Sequence, residues 1–363
     1  MVCLRLCWGS VGPSRPECRR RQARQNAAGL SSERKEFLLL ALDNRDAAIF
    51  PEPAMTATSR LQGIFSPVLT PFAADGAPDP DRFIRHCRWL LDQDVGLAVF
   101  GTNSEANSMT VVEKRALLDA LLEAGLPAQR MMPGTGACAV PDAIELTREA
   151  MEAGCGGVLM LPPFYYKGVS DEGLFRYFAS VIDAVADENL RIYLYHIPPV
   201  SGVPIPLTLI ERLLKTFGRT IAGVKDSSGD WKNTAAMLER FQPQGFDVFA
   251  GSENFLLANM RGGGAGCITA TGNVNPSAIV QLYRTWRQAD ADEQQKKLDA
   301  QRAAFAQFPM IPAMKAAIAL KTGRKDWVHV RPPLVELDAD QQKALGASLD
   351  AAGFTMPNAQ ALA

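Results

Sequence analysis

From residue 63 onward, short and nearly continuous apolar runs alternate with longer stretches in which apolar residues recur three and four positions apart. The first pattern predicts strands buried on both faces and the second predicts amphipathic helices, so the order reads as repeated βα units around a parallel sheet. Eight strands are predicted, at 63–71, 96–101, 130–136, 156–162, 191–198, 221–227, 246–251 and 264–270. Helices are predicted between them at 81–93, 112–124, 141–153, 171–185, 206–217, 234–241 and 253–261. Thr110 followed by Glu113 has the form of a capping box for the second helix, and Pro141-Asp142 suits the start of the third. Eight such units close most economically into an α/β fold of the (β/α)8 TIM-barrel type, expected over residues 55–275.

The pattern changes on either side of this block. After the eighth strand, helical periods at 276–288, 292–308, 311–322 and 338–353 exceed what closure needs and predict an all-helical C-terminal layer over residues 276–363. Pro309 and Pro312 interrupt the run between the second and third of these. Such a layer covers one side of a barrel or builds an oligomer contact, and periodicity leaves both open. Residues 1–54 are different again. Arg15, Arg19, Arg20, Arg21 and Arg24 cluster among polar residues ahead of one short helical stretch. A targeting segment, a basic interaction arm and a translated upstream stretch all fit. The acidic residues Glu33, Glu36, Asp43 and Asp46 spoil a transit-peptide composition and favour a disordered extension with Met55 as the working start.

Composition narrows the partners. A net charge of -1, with 47% hydrophobic and 21% charged residues, gives no reason to expect a nucleic acid or an anionic membrane surface. The longest apolar runs in the sequence are too short to span a bilayer. Seven cysteines without a paired spacing (Cys3, Cys7, Cys18, Cys87, Cys138, Cys155, Cys267) argue for reduced thiols in a reducing, cytoplasmic compartment. His86, His196 and His329 are scattered with no second ligand at metal spacing, so no metal is expected.

Barrel chemistry belongs to the loops at the C-terminal ends of the strands, and the notable polar and aromatic residues fall there. The second strand ends in Gly101-Thr102-Asn103-Ser104-Glu105, the fourth in Pro162-Pro163-Phe164-Tyr165-Tyr166, the fifth in Tyr195-His196-Ile197-Pro198, the sixth in Lys225-Asp226-Ser227-Ser228 and the seventh in Gly251-Ser252-Glu253-Asn254. Lys225 closes an apolar run, where a lysine either reaches water past the strand end or is kept as an amine that attacks a carbonyl. Alternation along a strand sets Tyr195 and His196 on opposite faces, so an inward Tyr195 leaves His196 structural.

Four of these fragments carry a resemblance. Gly101-Thr102-Asn103-Ser104-Glu105, Tyr195-His196-Ile197-Pro198, Gly223-Val224-Lys225-Asp226-Ser227, and Gly266-Cys267-Ile268-Thr269 before Asn273 resemble the motifs of the dihydrodipicolinate synthase and N-acetylneuraminate lyase family, the pyruvate-dependent class I aldolases. The resemblance implies a Schiff-base aldolase or lyase that cleaves or condenses a 2-keto(-3-deoxy) acid, with pyruvate on one side of the reaction. A small keto acid and an aldehyde are then the partners, a covalent lysine imine serves where a cofactor would, and a homotetramer is expected. Matched residue by residue, Lys225 is the imine lysine, Tyr195 the proton carrier, and Tyr166 a tyrosine donated across a subunit interface or a packing residue. Thr102 and Asn103 match the carboxylate loop, and the carbonyl of Ile268 matches the pyruvate pocket.

Departures from the family pattern bear on the substrate. Where dihydrodipicolinate synthases carry an arginine for the second substrate's carboxylate, this chain has Val200, which cannot make that charge-assisted pairing. Ser227, Gly251, Glu253 and Asn254 resemble the hydroxyl-binding positions of sugar-acid lyases, whereas Ala270 and Gly272 depart from sialic acid lyases. A hydroxylated keto acid is favoured, with the synthase-type condensation and a keto-deoxy sugar acid dehydratase as alternatives through the same imine. A catalytically silent keto-acid-binding barrel is the alternative of another class, prompted by Ser104, Ala270 and Gly272. Gly134-Thr135-Gly136-Ala137-Cys138-Ala139 also fits a dinucleotide fingerprint, but it follows the third strand with no Rossmann unit before it and reads better as a βα loop.

Overall fold

The computed structural model describes residues 60–363; the expectations for residues 1–54 and for a start at Met55 lie outside the described residues. Seven strands are formed among them: β1 (Gly63–Ser66), β2 (Val95–Leu97), β3 (Val158–Met160), β4 (Ile192–His196), β5 (Ile221–Asp226), β6 (Asp247–Ala250) and β7 (Gly266–Ile268). Neighbours pair in parallel in the order β2-β1-β7-β6-β5-β4-β3.

The predicted third strand at 130–136 is not a regular strand, yet it occupies its place in the wall. Single parallel bridges join Leu97 to Met131 and Gly134 to Leu159. The N–H groups of Met132 and Gly134 donate to the carbonyls of Leu97 and Val99 at 2.8 and 2.7 Å, and Leu159 N–H donates to the Pro133 carbonyl at 2.8 Å. Pro133 has no N–H to offer, so the ladder is broken at its centre while the ring still closes. Counting this segment, eight wall positions complete the (β/α)8 barrel. The regular strands are shorter than their apolar runs because the residues past each strand end leave the ladder to form loops.

Helices follow as expected, with shifted ends: α1 (Pro80–Leu91), α2 (Val111–Glu123), α3 (Val140–Glu152), α4 (Asp171–Val185), α5 (Leu207–Phe217), α6 (Trp231–Phe241) and α7 (Leu256–Arg261). The Thr110 hydroxyl accepts from Glu113 N–H and the Glu113 carboxylate accepts from Thr110 N–H, which is the capping box. α6 starts three residues earlier than predicted because Asp230 caps it by accepting from Lys232 N–H. Beyond β7 stand α8 (Pro276–Thr285), α9 (Ala291–Ala306), α10 (Met310–Thr322) and α11 (Ala339–Ala351). None of the described helices is individually long and apolar enough to cross a membrane.

Two apolar cores result. One lies between strands and helices; the other fills the barrel with Phe65, Ala98, Met132, Leu159, Tyr193, Tyr195, Phe249 and Ile268 among its members. Phe249 meets Phe65 and Tyr193 edge to face, with centroids 5.9 and 5.6 Å apart. Along β4, Ile192 and Leu194 face the helices while Tyr193 and Tyr195 face inward, the two-residue alternation of a strand. This interior floor sets how deep a ligand can enter.

Candidate active site

Lys225 and Tyr195 occupy paired positions on neighbouring strands β5 and β4. The shared register and inward phase put Lys225 Nζ 4.2 Å from the centre of the Tyr195 ring. Lys225 is only 2% exposed, and it borders a cavity of about 550 Å3. Tyr195 continues the chain on its other side: its Oη lies 3.1 Å from Thr102 Oγ1. Three side chains from three wall positions are thereby linked, an amine beside a phenol beside a hydroxyl.

The loop carrying Thr102 and Asn103 is bracketed by two residues with left-handed backbones, Phe100 at φ 60° and Glu105 at φ 56°. Such conformations cost a non-glycine residue about 1–3 kcal/mol and persist where the surroundings over-determine them. At the first, Gly134 presses its backbone so close that a Cβ there would stand 2.2 Å from the Phe100 carbonyl oxygen. At the second, Glu105 is buried and takes Lys315 Nζ at 2.5 Å on one oxygen and Arg331 N–H at 2.8 Å on the other. Lys315 is fully buried on α10 and also donates to the His329 carbonyl at 2.7 Å. Burial pushes its ammonium down to about 8 against the opposing pull of Glu105.

The glycines at 134 and 136 serve this packing. A Cβ on Gly136 would meet Leu161 N at 2.3 Å, so both positions answer to close approach of chain segments within the barrel. Gly251 is required in the same sense, since a Cβ there would stand 2.1 Å from Ser227 Oγ. Its N–H donates to the Asp226 carbonyl at 2.7 Å, which seats the β6 loop against the β5 loop at the rim.

The predicted residues separate into two groups. Lys225, Tyr195, Thr102, Asn103, Ser227, Gly251 and Asn254 all border the cavity, as does Val200. Glu253, Ile268 and Tyr166 do not. Glu253, expected to bind substrate hydroxyls, is 1% exposed behind the wall. Its carboxylate accepts from the hydroxyls of Thr269 and Thr271 and from Arg302 Nη1, so both of its oxygens are engaged by protein donors and the residue is not part of the cavity lining. The Ile268 side chain is packed in the barrel interior beside Tyr195, whereas the expectation for Ile268 concerns its backbone carbonyl. Tyr166 is 73% exposed and stacks edge-on against Tyr165, with ring centroids 5.2 Å apart. His196 turns outward as alternation predicts, where its Nδ1 accepts from Ile205 N–H at 3.0 Å. Burial lowers its pKa, against the pull of Asp226.

Part of the wall went unforeseen. Arg302, Met310 and Leu334 border the cavity from beyond the eight βα units. Their local sequence shows only helical period or loop composition, and nothing in it points to the barrel mouth. Among the described residues, no group of three His, Cys, Asp or Glu side chains is placed to hold a metal ion.

Residues 60–352 match the model of the dihydrodipicolinate synthetase family. A protein of Chloroflexus aurantiacus named as a DapA-like lyase is 34% identical over 292 residues, covering 80% of this chain and 96% of that one. The crystal structure of dihydrodipicolinate synthase from Agrobacterium tumefaciens superposes with a TM-score of 0.73 at 31% identity, covering 80% of this chain and 99% of that one. YagE of Escherichia coli, solved in complex with pyruvate, superposes with a TM-score of 0.74 at 28% identity, covering 81% of this chain and 99% of that one.

Proposed function

The chain belongs to the dihydrodipicolinate synthetase family of Schiff-base lyases, and from that premise we propose that Lys225 is its imine-forming residue and a hydroxylated 2-keto acid its substrate. The observation that carries this reading is the linked set of Lys225, Tyr195 and Thr102 at one cavity. The Lys225 amine adds to the C2 carbonyl, and the carbinolamine loses water to give the imine. With the imine protonated, the C3–C4 bond breaks and its electron pair moves into the C=N system, leaving an enamine. Tyr195 gives its phenolic proton to the hydroxide that leaves the carbinolamine, and the resulting phenolate takes the proton of the C4 hydroxyl as that group becomes an aldehyde carbonyl. The enamine takes a proton at C3, and water releases pyruvate and the free amine.

Thr102 orders the Tyr195 phenol through the 3.1 Å contact, and with Asn103 it supplies the polar edge for the substrate C1 carboxylate. Ser227 and Asn254 line the cavity where substrate hydroxyls would lie. Val200 argues against the condensation performed by dihydrodipicolinate synthases, since an apolar side chain there gives no charge-assisted pairing. In this reading α8–α11 act as a C-terminal layer that finishes the mouth, because Arg302, Met310 and Leu334 reach the cavity from residues beyond β7. The exposed Tyr165–Tyr166 pair suits a subunit contact in a homotetramer, with Tyr166 acting on the neighbouring site. A cytoplasmic setting fits the unpaired thiols of Cys87, Cys138, Cys155 and Cys267.

Borohydride reduction in the presence of pyruvate tests this. The expected product is a secondary amine on the peptide containing Lys225, absent from the Lys225→Ala variant. Failure of the wild-type chain to form an adduct, or an adduct on a different lysine, overturns the assignment.

A further inference from the structure

Arg302 sits on α9, outside the barrel, yet its side chain borders the same cavity as Lys225. Of the described residues that border it, these two are the only cations. The guanidinium is fixed from behind: Nη1 donates to Glu253 Oε2 at 2.8 Å and stands 3.3 Å from Thr269 Oγ1. Glu253 in turn is anchored by the Thr269 and Thr271 hydroxyls, and the backbone carbonyl of Glu253 accepts from Gln295 Nε2 at 2.9 Å. Nε and Nη2 of Arg302 make no hydrogen bond to any described residue, and the side chain keeps 20% exposure.

A planar donor group held at one edge and open at the other suits a planar two-oxygen acceptor, and its ordering cost is met before ligand arrives. Resting on the imine assignment of Lys225, we infer that Arg302 is a second-anion subsite, and that the preferred substrates are 2-keto acids carrying a carboxylate at the end away from the keto group. A carboxylate is favoured over a phosphate because one guanidinium, already shared with Glu253, offers a single fork and no second cation to balance a dianion. Arg302 and Val200 both border the cavity, so a cation reaches it from a helix that the strand-end motifs do not include.

Two five-carbon keto acids that differ only at the far end separate this from the underlying reading. Borohydride trapping on the wild-type chain is measured against the concentration of pyruvate, 2-oxoglutarate and 2-oxopentanoate. Each forms the imine with loss of water, and borohydride delivers hydride to fix it as a secondary amine. The wild type is expected to reach half-maximal trapping with 2-oxoglutarate at a concentration about tenfold below that for 2-oxopentanoate, the scale of one charge-assisted hydrogen bond. Arg302→Gln should bring the two within about twofold, and Arg302→Lys should restore part of the gap. Equal trapping of the two acids by the wild type, or trapping of pyruvate with neither of them, overturns the subsite. Absence of pyruvate trapping strikes the imine assignment instead. The wild-type comparison stands even where Arg302→Gln leaves Glu253 unpaired and fails to fold.

Discussion

Lys315 Nζ, on a helix beyond the last strand, donates a 2.5 Å hydrogen bond to Oε1 of Glu105, the residue that ends the Thr102-Asn103 loop. Both side chains are fully buried, and they are 210 positions apart in sequence. The pair therefore ties the C-terminal helices to the edge of the candidate site. Removing one member leaves the other as an uncompensated buried charge, a change that typically costs about 3–5 kcal/mol. Lys315→Met is expected to lower the unfolding free energy obtained from urea titration by an amount in that range and to raise KM for pyruvate. The double variant Lys315→Met, Glu105→Gln should be milder than the single one, because it strands no charge. A single variant as stable as wild type would show that the pair carries little.

Tyr195 presents its ring to the amine of Lys225 and its Oη to the hydroxyl of Thr102. Tyr195→Phe keeps the ring under Nζ and removes the proton carrier, so kcat should fall by about 10²- to 10⁴-fold while pyruvate trapping persists. Thr102→Val removes the partner and leaves the phenol, and a smaller loss in kcat is expected. The comparison is read from steady-state turnover beside borohydride trapping. Equal turnover by Tyr195→Phe and wild type would exclude the relay.

His86 is completely buried, and burial holds its pKa at about 4 against the ordinary 6.5. Its Nε2 stands 3.2 Å from the Asn273 carbonyl, and its ring meets Trp327 edge-on at 5.3 Å. Above pH 6.5 both folded and unfolded chains carry a neutral ring. Between pH 6.5 and 4 only the unfolded chain takes up the proton, so stability falls as pH falls through that window. The loss amounts to about 3 kcal/mol once pH reaches the folded value. Urea unfolding at pH 7.5 and pH 4.5 should show this slope in the wild type and a shallower one in His86→Phe, where no proton is gained. Identical slopes would assign the acid sensitivity to other groups.

Gly134 tests the reading of its glycine pair. A Cβ there collides with the Phe100 carbonyl at 2.2 Å, a backbone atom with little room to move. Gly134→Ala should destabilise by about 1–3 kcal/mol, the usual cost of overpacking. Nicotinamide dinucleotides should leave the thermal midpoint of wild type and variant unshifted; a saturable upward shift would restore the dinucleotide reading.

Much of this molecule is legible along the chain. The alternation of side chains along a strand sets Tyr195 and His196 on opposite faces, and the strand-end rule gathers Lys225, Tyr195 and Thr102 at one mouth. These inferences hold because side-chain direction repeats within a single element, so burial on one face leaves a period that can be read locally. The third wall segment was predicted as a strand and formed only as bridges, since Pro133 deprives the ladder of a donor that an apolar count does not register.

What stayed hidden involves residues that meet only when elements pack. Glu253 follows Gly251 at a strand end, as a hydroxyl-binding residue would, yet Thr269, Thr271 and Arg302 claim its carboxylate from behind. Neither Arg302 nor Lys315 belongs to a motif, and each sits in an ordinary helical period. Apart from the segment around Pro133, the chain's periodicity marks which segments are strands and helices and which residues fall at strand ends. The partners of Glu105, Glu253 and Arg302 were settled by how α9 and α10 close on the barrel, because a buried charge is defined by the distant group that neutralises it.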